Sequence, residues 1–383
     1  MLISLIGTWL QSVAQSWLIF QLTNSAFLLG LVGFLSTIPV FLLSLFGGVA
    51  ADRFNKRKIL FFTQIVFMAL AFILAFLTQV KLITPAQIMV IALLNGTVMA
   101  FDAPARQAVV VELVGKAHLL NAIALNSAAF NSARILGPAL AGILIAAIGM
   151  SGCFYLNGIS FLAVIIALGL IKINIINKPE NNTHFMKDLA EGVRFIKNHR
   201  IILILILMVG VTSLFGTSYV ILMPVFANEV LQVGVKGFGM LMSAAGLGAL
   251  IAALLLARFS AFKKKGKALF YSLIIYFISL AAFALSKDYI LSLVFLVIIG
   301  WSSVSAISLI NTLLQILVPD NFRGRVMSGF LLTFAGVMPF GNLIAGSLTQ
   351  YWGAPLTVLA SAIVCSIFFT IINFIYPDIR DLE

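Results

Sequence analysis

Charge is the first thing this chain lacks. Of its 383 residues, 9% are Asp, Glu, Lys or Arg, against 62% hydrophobic residues. A soluble domain is about a quarter charged, so there are too few charges to cover a water-facing surface of this size. Acids are scarcest, 12 in all, beside three histidines and two cysteines. Cys153 and Cys365 sit in apolar runs far apart, which excludes a disulfide framework and thiolate metal spacing. There is no GxxxxGK[ST] phosphate loop, no HExxH and no paired-aspartate cluster. Neither a self-contained nucleotide-driven pump nor a membrane enzyme is expected, and no cofactor and no metal. The composition also excludes a soluble enzyme, a nucleic-acid-binding domain and a disordered chain. A β-barrel is excluded too, because its strands alternate polar and apolar residues.

What is present is apolar sequence, with a mean hydropathy of +1.14. At about 20 residues per span, the chain is long enough for about a dozen crossings. The expected fold is all-α and integral to a membrane, with spans at 2–20, 28–51, 59–80, 86–105, 119–148, 152–170, 201–224, 237–259, 268–286, 289–310, 329–351 and 354–375. The longer connections are 106–118, 171–200 and 311–328. The start has no charged region and no small-residue cleavage site, as a signal peptide would. The first span is barely long enough to cross, so a few residues are expected to precede Met1.

The net charge of +12 follows from where the cations fall. With the amino end in the cytoplasm, the inner side carries 20 of the 24 Lys and Arg. Lys81, Lys236 and Lys287 lie outside, and Arg134 lies within a span. This is a strong positive-inside bias. It predicts a plasma (inner) membrane protein with both termini cytoplasmic, whose basic loops meet anionic lipid rather than nucleic acid.

Residues 1–170 and 201–383 read as two six-span halves joined by a 171–200 linker. In the linker, Leu189, Val193 and Ile196 recur at helical spacing among Lys187, Arg194 and Lys197, which predicts an amphipathic helix on the inner membrane surface. A shift of 204 residues aligns Gly137 with Gly341, Ala141 and Gly142 with Ala345 and Gly346, and Gly149 with Gly353. Span 5 thus pairs with span 11, as in transporters built from two parallel repeats.

Residues 48–58 read GVAADRFNKRK. They resemble the G-x-x-x-D-R-x-G-R-R/K loop of the major facilitator superfamily, with Asn55 in place of the second glycine. Asn tolerates a left-handed backbone, so the turn is expected to survive. Residues 134–142, RILGPALAG, resemble the G-P-x-x-x-G element of exporters in that superfamily. FDAPAR at 101–106, FRGRV at 322–326 and WLIFQLTNS at 17–25 resemble its secretion-effector branch, which includes the enterobactin exporter.

The resemblance implies two pseudo-symmetric six-helix halves, alternating access and a small-molecule substrate. It implies a conformational clamp made of Asp52, Arg53, Arg57, Asp102 and Arg106. Within it, Asp52 would meet the helix start near Ser328, and Arg53 or Arg57 would pair with Asp102. The bland reading is that these charges merely stop helices at the interface. Gly137, Pro138 and Gly142 form either a pliable hinge in span 5 or ordinary close packing.

Polar side chains recur on single helix faces. Span 1 carries Ser4, Thr8, Gln11 and Gln15; span 4 carries Asn95, Met99, Asp102 and Arg106; span 5 carries Ser127, Asn131 and Arg134; span 10 carries Trp301, Ser305, Ser308, Thr312 and Gln315. Such faces turn away from lipid, toward a cavity or a partner helix. Gln11, Gln15, Asn95, Asn131, Arg134, Trp301 and Ser305 are the candidate substrate-cavity residues, with interhelical hydrogen bonding as the competing reading. Arg134 falls near mid-membrane and either meets an anionic substrate or pairs within the protein. Proton coupling is implied by the resemblance, and Asp102, about three residues from the inner end of span 4, is its candidate by elimination.

The expected function is therefore proton-coupled export of a small amphipathic molecule, drug-like or a siderophore, by a monomer in contact with membrane lipid. An importer on the same fold, or a non-transporting scaffold or channel, are the alternatives.

Overall fold

The computed structural model describes residues 2–170, 185–258 and 264–382. The expected polar stretch 177–183 lies outside them. Helix α1 is Leu2–Thr23, α2 Ala26–Arg53 and α3 Lys56–Gln79. Helical backbone then runs through α4, Pro85–Leu170. Helix α5, Phe185–Asn198, is followed by α6, Arg200–Val211, and the three-residue α7, Met223–Val225. Helices α8 Gly234–Arg258, α9 Lys265–Leu285, α10 Tyr289–Leu317 and α11 Asp320–Ile375 complete the chain, with a closing 3-10 turn at Pro377–Asp381.

Ten helical stretches among the described residues are long and apolar enough to cross a membrane. Two of them, Ala128–Leu170 and Phe322–Ile375, have double length. Each contains one left-handed glycine, Gly149 at φ 74 and Gly353 at φ 76, and dividing there brings the count to twelve. These are the two glycines that the 204-residue repeat pairs. A residue with a Cβ rarely adopts this backbone, so the same requirement recurs at both places.

Two expected loops differ. Segment 106–118 is helical backbone within α4. Apart from Gly115 it holds no helix breaker, and a helix does not need apolar residues to continue past a membrane face. Segment 311–328 is interrupted only near Val318, extended at φ −93 and ψ 127, and Pro319. Proline disfavours helical backbone in the residue before it. Span 7 is less regular than expected. After α6 it continues as π-helix at Thr212–Gly216, 3-10 helix at Thr217–Val220, α7 and a second π segment at Phe226–Val230.

Two compact units divide the chain: Met1–Pro179 with Ala227–Ser243, and Glu180–Phe226 with Ala244–Glu383. In the first, α1 to α3 pack on α4, around buried Leu10, Trp17, Phe20, Phe67, Leu74 and Phe154. In the second, α9 packs against α10 and α11, around Tyr276, Phe283, Leu296 and Leu313. The outward faces remain apolar, including Phe62 at 67% and Phe374 at 87% exposure. Water would penalise such patches, whereas lipid is their natural solvent.

Helix α5 packs Ile196 and Phe195 on protein, while Val193 is exposed. Phe195 stacks on Phe322 of α11 at 4.3 Å between centroids, and Gly192 lies under Arg325. Arg325 closes the contact with a 2.8 Å ion pair to Glu191 and lies 5.4 Å over the Phe322 ring. Arg194 and Lys197 are exposed. The FRGRV segment is thus where the second unit holds its linker helix.

Candidate functional site

Asp102 is 1% exposed and is the one buried carboxylate among the described residues. Helix α4 carries it inside an apolar stretch, Pro85–Val110. Its Oδ1 accepts from Thr63 Oγ1 at 2.7 Å and from Gln64 Nε2 at 2.8 Å, both on α3. Its Oδ2 accepts from Arg106 Nε at 3.0 Å and Nη2 at 2.7 Å, one turn on. Four donors serve the carboxylate, including a bidentate guanidinium, the geometry that offsets the cost of burying a charge.

Pro104 has no N–H for the Ala100 carbonyl four residues back. That carbonyl faces Gly47 of α2, where there is no room for a Cβ. A proline in α4 and a glycine in α2 thus allow the two helices to approach closely beside Ala100.

The expected partners of Asp102 are replaced. Arg57 donates instead from Nε to the Leu168 carbonyl at 2.7 Å and from Nη2 to the Gly169 carbonyl at 2.8 Å. Both carbonyls belong to span 6, so the guanidinium ties the start of α3 to that span through two charge-assisted hydrogen bonds. Arg106, four residues from Asp102, needs no second helix to reach it. Arg53 lies in the last turn of α2 and is exposed. The Asp52 side chain lies outside the described residues, and with it the expected contact near Ser328. Asn55 is not left-handed: at φ −62 and ψ 108 it is the N-cap of α3, accepting from the Lys58 N–H at 3.1 Å. The turn survives the loss of glycine through capping.

Gln11 faces span 6. It is buried, and its Oε1 accepts from Asn157 Nδ2 of span 6 at 2.7 Å, while Asn157 Oδ1 accepts from Ser160 at 3.2 Å. Gln11 thus makes the interhelical hydrogen bond that was the competing reading of its polar face. Ser305 is buried, and Gln15, Asn95, Asn131, Arg134 and Trp301 are half-buried. Arg134 stands 15 residues before Gly149, about 22 Å along the helix.

Around Pro138 the geometry is close packing. Gly137 leaves no room for a Cβ against Trp9 of α1, and its repeat partner Gly341 leaves none against Leu214 of span 7. A Cβ on Gly142 would lie 3.1 Å from the Val235 and Lys236 carbonyls, and one on Gly239 would lie 2.9 Å from Gly142. Ser243 donates to the Ile135 carbonyl at 2.8 Å, in the turn that Pro138 weakens.

Thr63, Gln64, Asn157, Gly239 and Ser243 were not singled out in the sequence. The adjacent pair Thr63 and Gln64, set in the apolar run that opens span 3, was a readable signal; the others become visible only through their partners.

Twelve apolar helices, an internal repeat and a buried charge cluster beside the Asp-Arg loop define a polytopic transporter of the major facilitator type. The chain belongs to the transmembrane secretion effector family, whose model matches residues 1–382. It is 27% identical over 368 residues to a staphyloferrin A transporter of Staphylococcus aureus, covering 94% of this chain and 91% of that protein. It is likewise 27% identical to the enterobactin exporter EntS of Shigella boydii, covering 94% and 85%. Among solved structures, an inward-facing bacterial homologue of the human lysosomal transporter Spinster aligns with a TM-score of 0.77 at 14% identity, covering 99% of this chain and 96% of that one. The D-xylose-proton symporter aligns at 0.69 and 13% identity, covering 96% of each. These likenesses fix the fold as the two-halved major facilitator fold, and the family as one of transporters rather than enzymes.

Proposed function

We propose that this protein is a secondary active exporter of a small amphipathic molecule of the siderophore class. It works by alternating access in the inner membrane, with both termini in the cytoplasm. The full-length family match, with relatives named for staphyloferrin A and enterobactin, supports export and the substrate class. The positive-inside bias supports the orientation.

The observation that carries the mechanism is Asp102. A secondary transporter driven by protons needs a titratable group whose protonation changes what it holds. Ionised Asp102 holds Arg106 and two donors of α3. Protonated, it releases its charge-assisted grip on Arg106, and the clamp region loosens. Asp52 and Arg53 act in the same clamp, and span 5 yields at Gly137 and Pro138, with Gly142 as the contact it moves against. Gln15, Asn95, Asn131, Arg134, Trp301 and Ser305 line the substrate path.

The test is efflux from cells preloaded with enterobactin, with a fluorescent amphipathic dye in parallel. Wild type, Asp102→Asn and empty vector are compared with and without a protonophore. Protein-dependent efflux, abolished by the protonophore and by Asp102→Asn, is the expected result. Energy-dependent efflux unaffected by Asp102→Asn would remove Asp102 from coupling. Accumulation in place of efflux would reverse the direction.

A further inference from the structure

The Thr63 hydroxyl has one proton and two acceptors. Its Oγ1 lies 2.7 Å from Asp102 Oδ1 and 3.0 Å from the Leu60 carbonyl oxygen. Thr63 is 4% exposed and Asp102 1%, so bulk water does not compete. A carboxylate is the stronger acceptor, and the shorter distance agrees. With Asp102 ionised, the hydroxyl proton belongs to Asp102.

Adding a proton reverses the requirement. Oδ2 faces two N–H groups of Arg106, a guanidinium that donates and cannot accept. Gln64 presents an N–H to Oδ1. A carboxylic acid proton on Oδ1 needs an oxygen, and the hydroxyl already in contact supplies one if its own proton turns to Leu60. Arg106 is the charged group meeting Asp102 among the described contacts. Helix α3 offers the neutral Thr63 and Gln64, and α2 approaches this stretch of α4 through the backbone at Gly47.

We propose that Thr63 is the proton-state partner of Asp102: it donates to the carboxylate, and by turning its hydroxyl to the Leu60 carbonyl it accepts from the carboxylic acid. It is a positioning residue, and the inference rests on Asp102 as the coupling group. The step balances simply. A hydronium ion of the solvent gives up a proton: one of its O–H bonds breaks, the O–H bond on Oδ1 forms, water is released, and the Thr63 hydroxyl rotates about its C–O bond. Both protonation states then keep a full set of hydrogen bonds, which lets a buried group change charge without leaving an orphaned donor or acceptor. The rival acceptor is Gln64, whose Oε1 is buried with no hydrogen-bond partner and would reach Oδ1 by an amide flip.

The experiment is an infrared pH titration of the full-length protein in lipid nanodiscs, which needs no substrate. The carboxylic-acid carbonyl band missing in Asp102→Asn belongs to Asp102. Thr63→Val is expected to move that band to higher frequency, because the acid proton loses its acceptor, and Thr63→Ser to restore it. Gln64→Met removes a donor from the carboxylate alone and is expected to leave the frequency of the acid band in place. If Thr63→Val does not fold, Thr63→Ala is read in the same way. A band unmoved by Thr63→Val, or moved in frequency by Gln64→Met instead, overturns the role of Thr63. Absence of any band lost in Asp102→Asn overturns the coupling reading itself.

Discussion

Replacing Arg106 with Gln leaves the Asp102 carboxylate buried without its countercharge. Thr63 and Gln64 still donate to Oδ1, but both donors on Oδ2 are lost. Removing one partner of a buried pair costs about 3–5 kcal/mol. Arg106 is 25% exposed and Asp102 1%, so solvent softens the cost to the lower end, about 3 kcal/mol. In Asp102→Asn combined with Arg106→Gln, two neutral amides face each other and no charge is stranded. About 1 kcal/mol is then lost, about 2 kcal/mol less than in Arg106→Gln alone. For a unit of roughly 200 residues, each kcal/mol moves Tm by about 2–4 °C. Arg106→Gln should lower Tm by about 6–12 °C and the double variant by about a third of that. Melting of the purified protein in one detergent at one scan rate measures both. A double variant as unstable as Arg106→Gln would show that a stranded Asp102 charge is not what destabilises Arg106→Gln, and the account of how Asp102 is held would be wrong.

Three further outcomes follow from other contacts. Arg57→Ala should cost about 1–3 kcal/mol, because two carbonyls of span 6 lose a charged donor; Arg57→Lys should recover only part, since an ammonium cannot reproduce the fork. Thermal melting of the three proteins tests this, and full recovery by Lys would contradict it. Gly239→Val should lower the yield of folded protein sharply, because its Cβ meets the Pro138 carbonyl and the Gly142 backbone, which have no side-chain freedom to yield; a normal monodisperse elution profile would refute it. Asp52→Asn should cripple turnover while leaving membrane insertion intact, read as efflux per inserted molecule; normal turnover would sink the clamp reading.

Much of the fold was legible because membrane insertion is read along the chain. Each span is a run of residues whose transfer free energies add locally, so twelve apolar runs could be counted without knowing their neighbours. The repeat was legible for a related reason. Gly149 and Gly353 answer the same backbone requirement at the same place in each half, and that requirement needs glycine. Where helices end was less legible. The 106–118 segment stayed helical, and the 311–328 segment broke only beside Pro319.

The site was legible in part. Asp102 stood out because so few carboxylates are present. Its partners did not, because two arginines in the adjacent loop looked equally suitable. Helix geometry favoured Arg106, four residues away on the same face, while Arg57 found stronger employment at the carbonyls of Leu168 and Gly169, 111 and 112 residues distant. Gln11 shows the same limit. Its polar stripe established that it avoids lipid, and only its rotation toward span 6 decided that Asn157 occupies it.

The sequence by itself thus determined the solvent, the number of crossings, the repeat and the scarcity that makes one carboxylate conspicuous. All are sums or spacings along one dimension. Tertiary structure alone decided which donors hold Asp102, what Arg57 holds, that Asn55 caps rather than turns, and that Gly239 lies against Pro138. Each of these depends on how one helix is rotated and set against another, and packing free energy chooses that among faces the sequence leaves equally apolar.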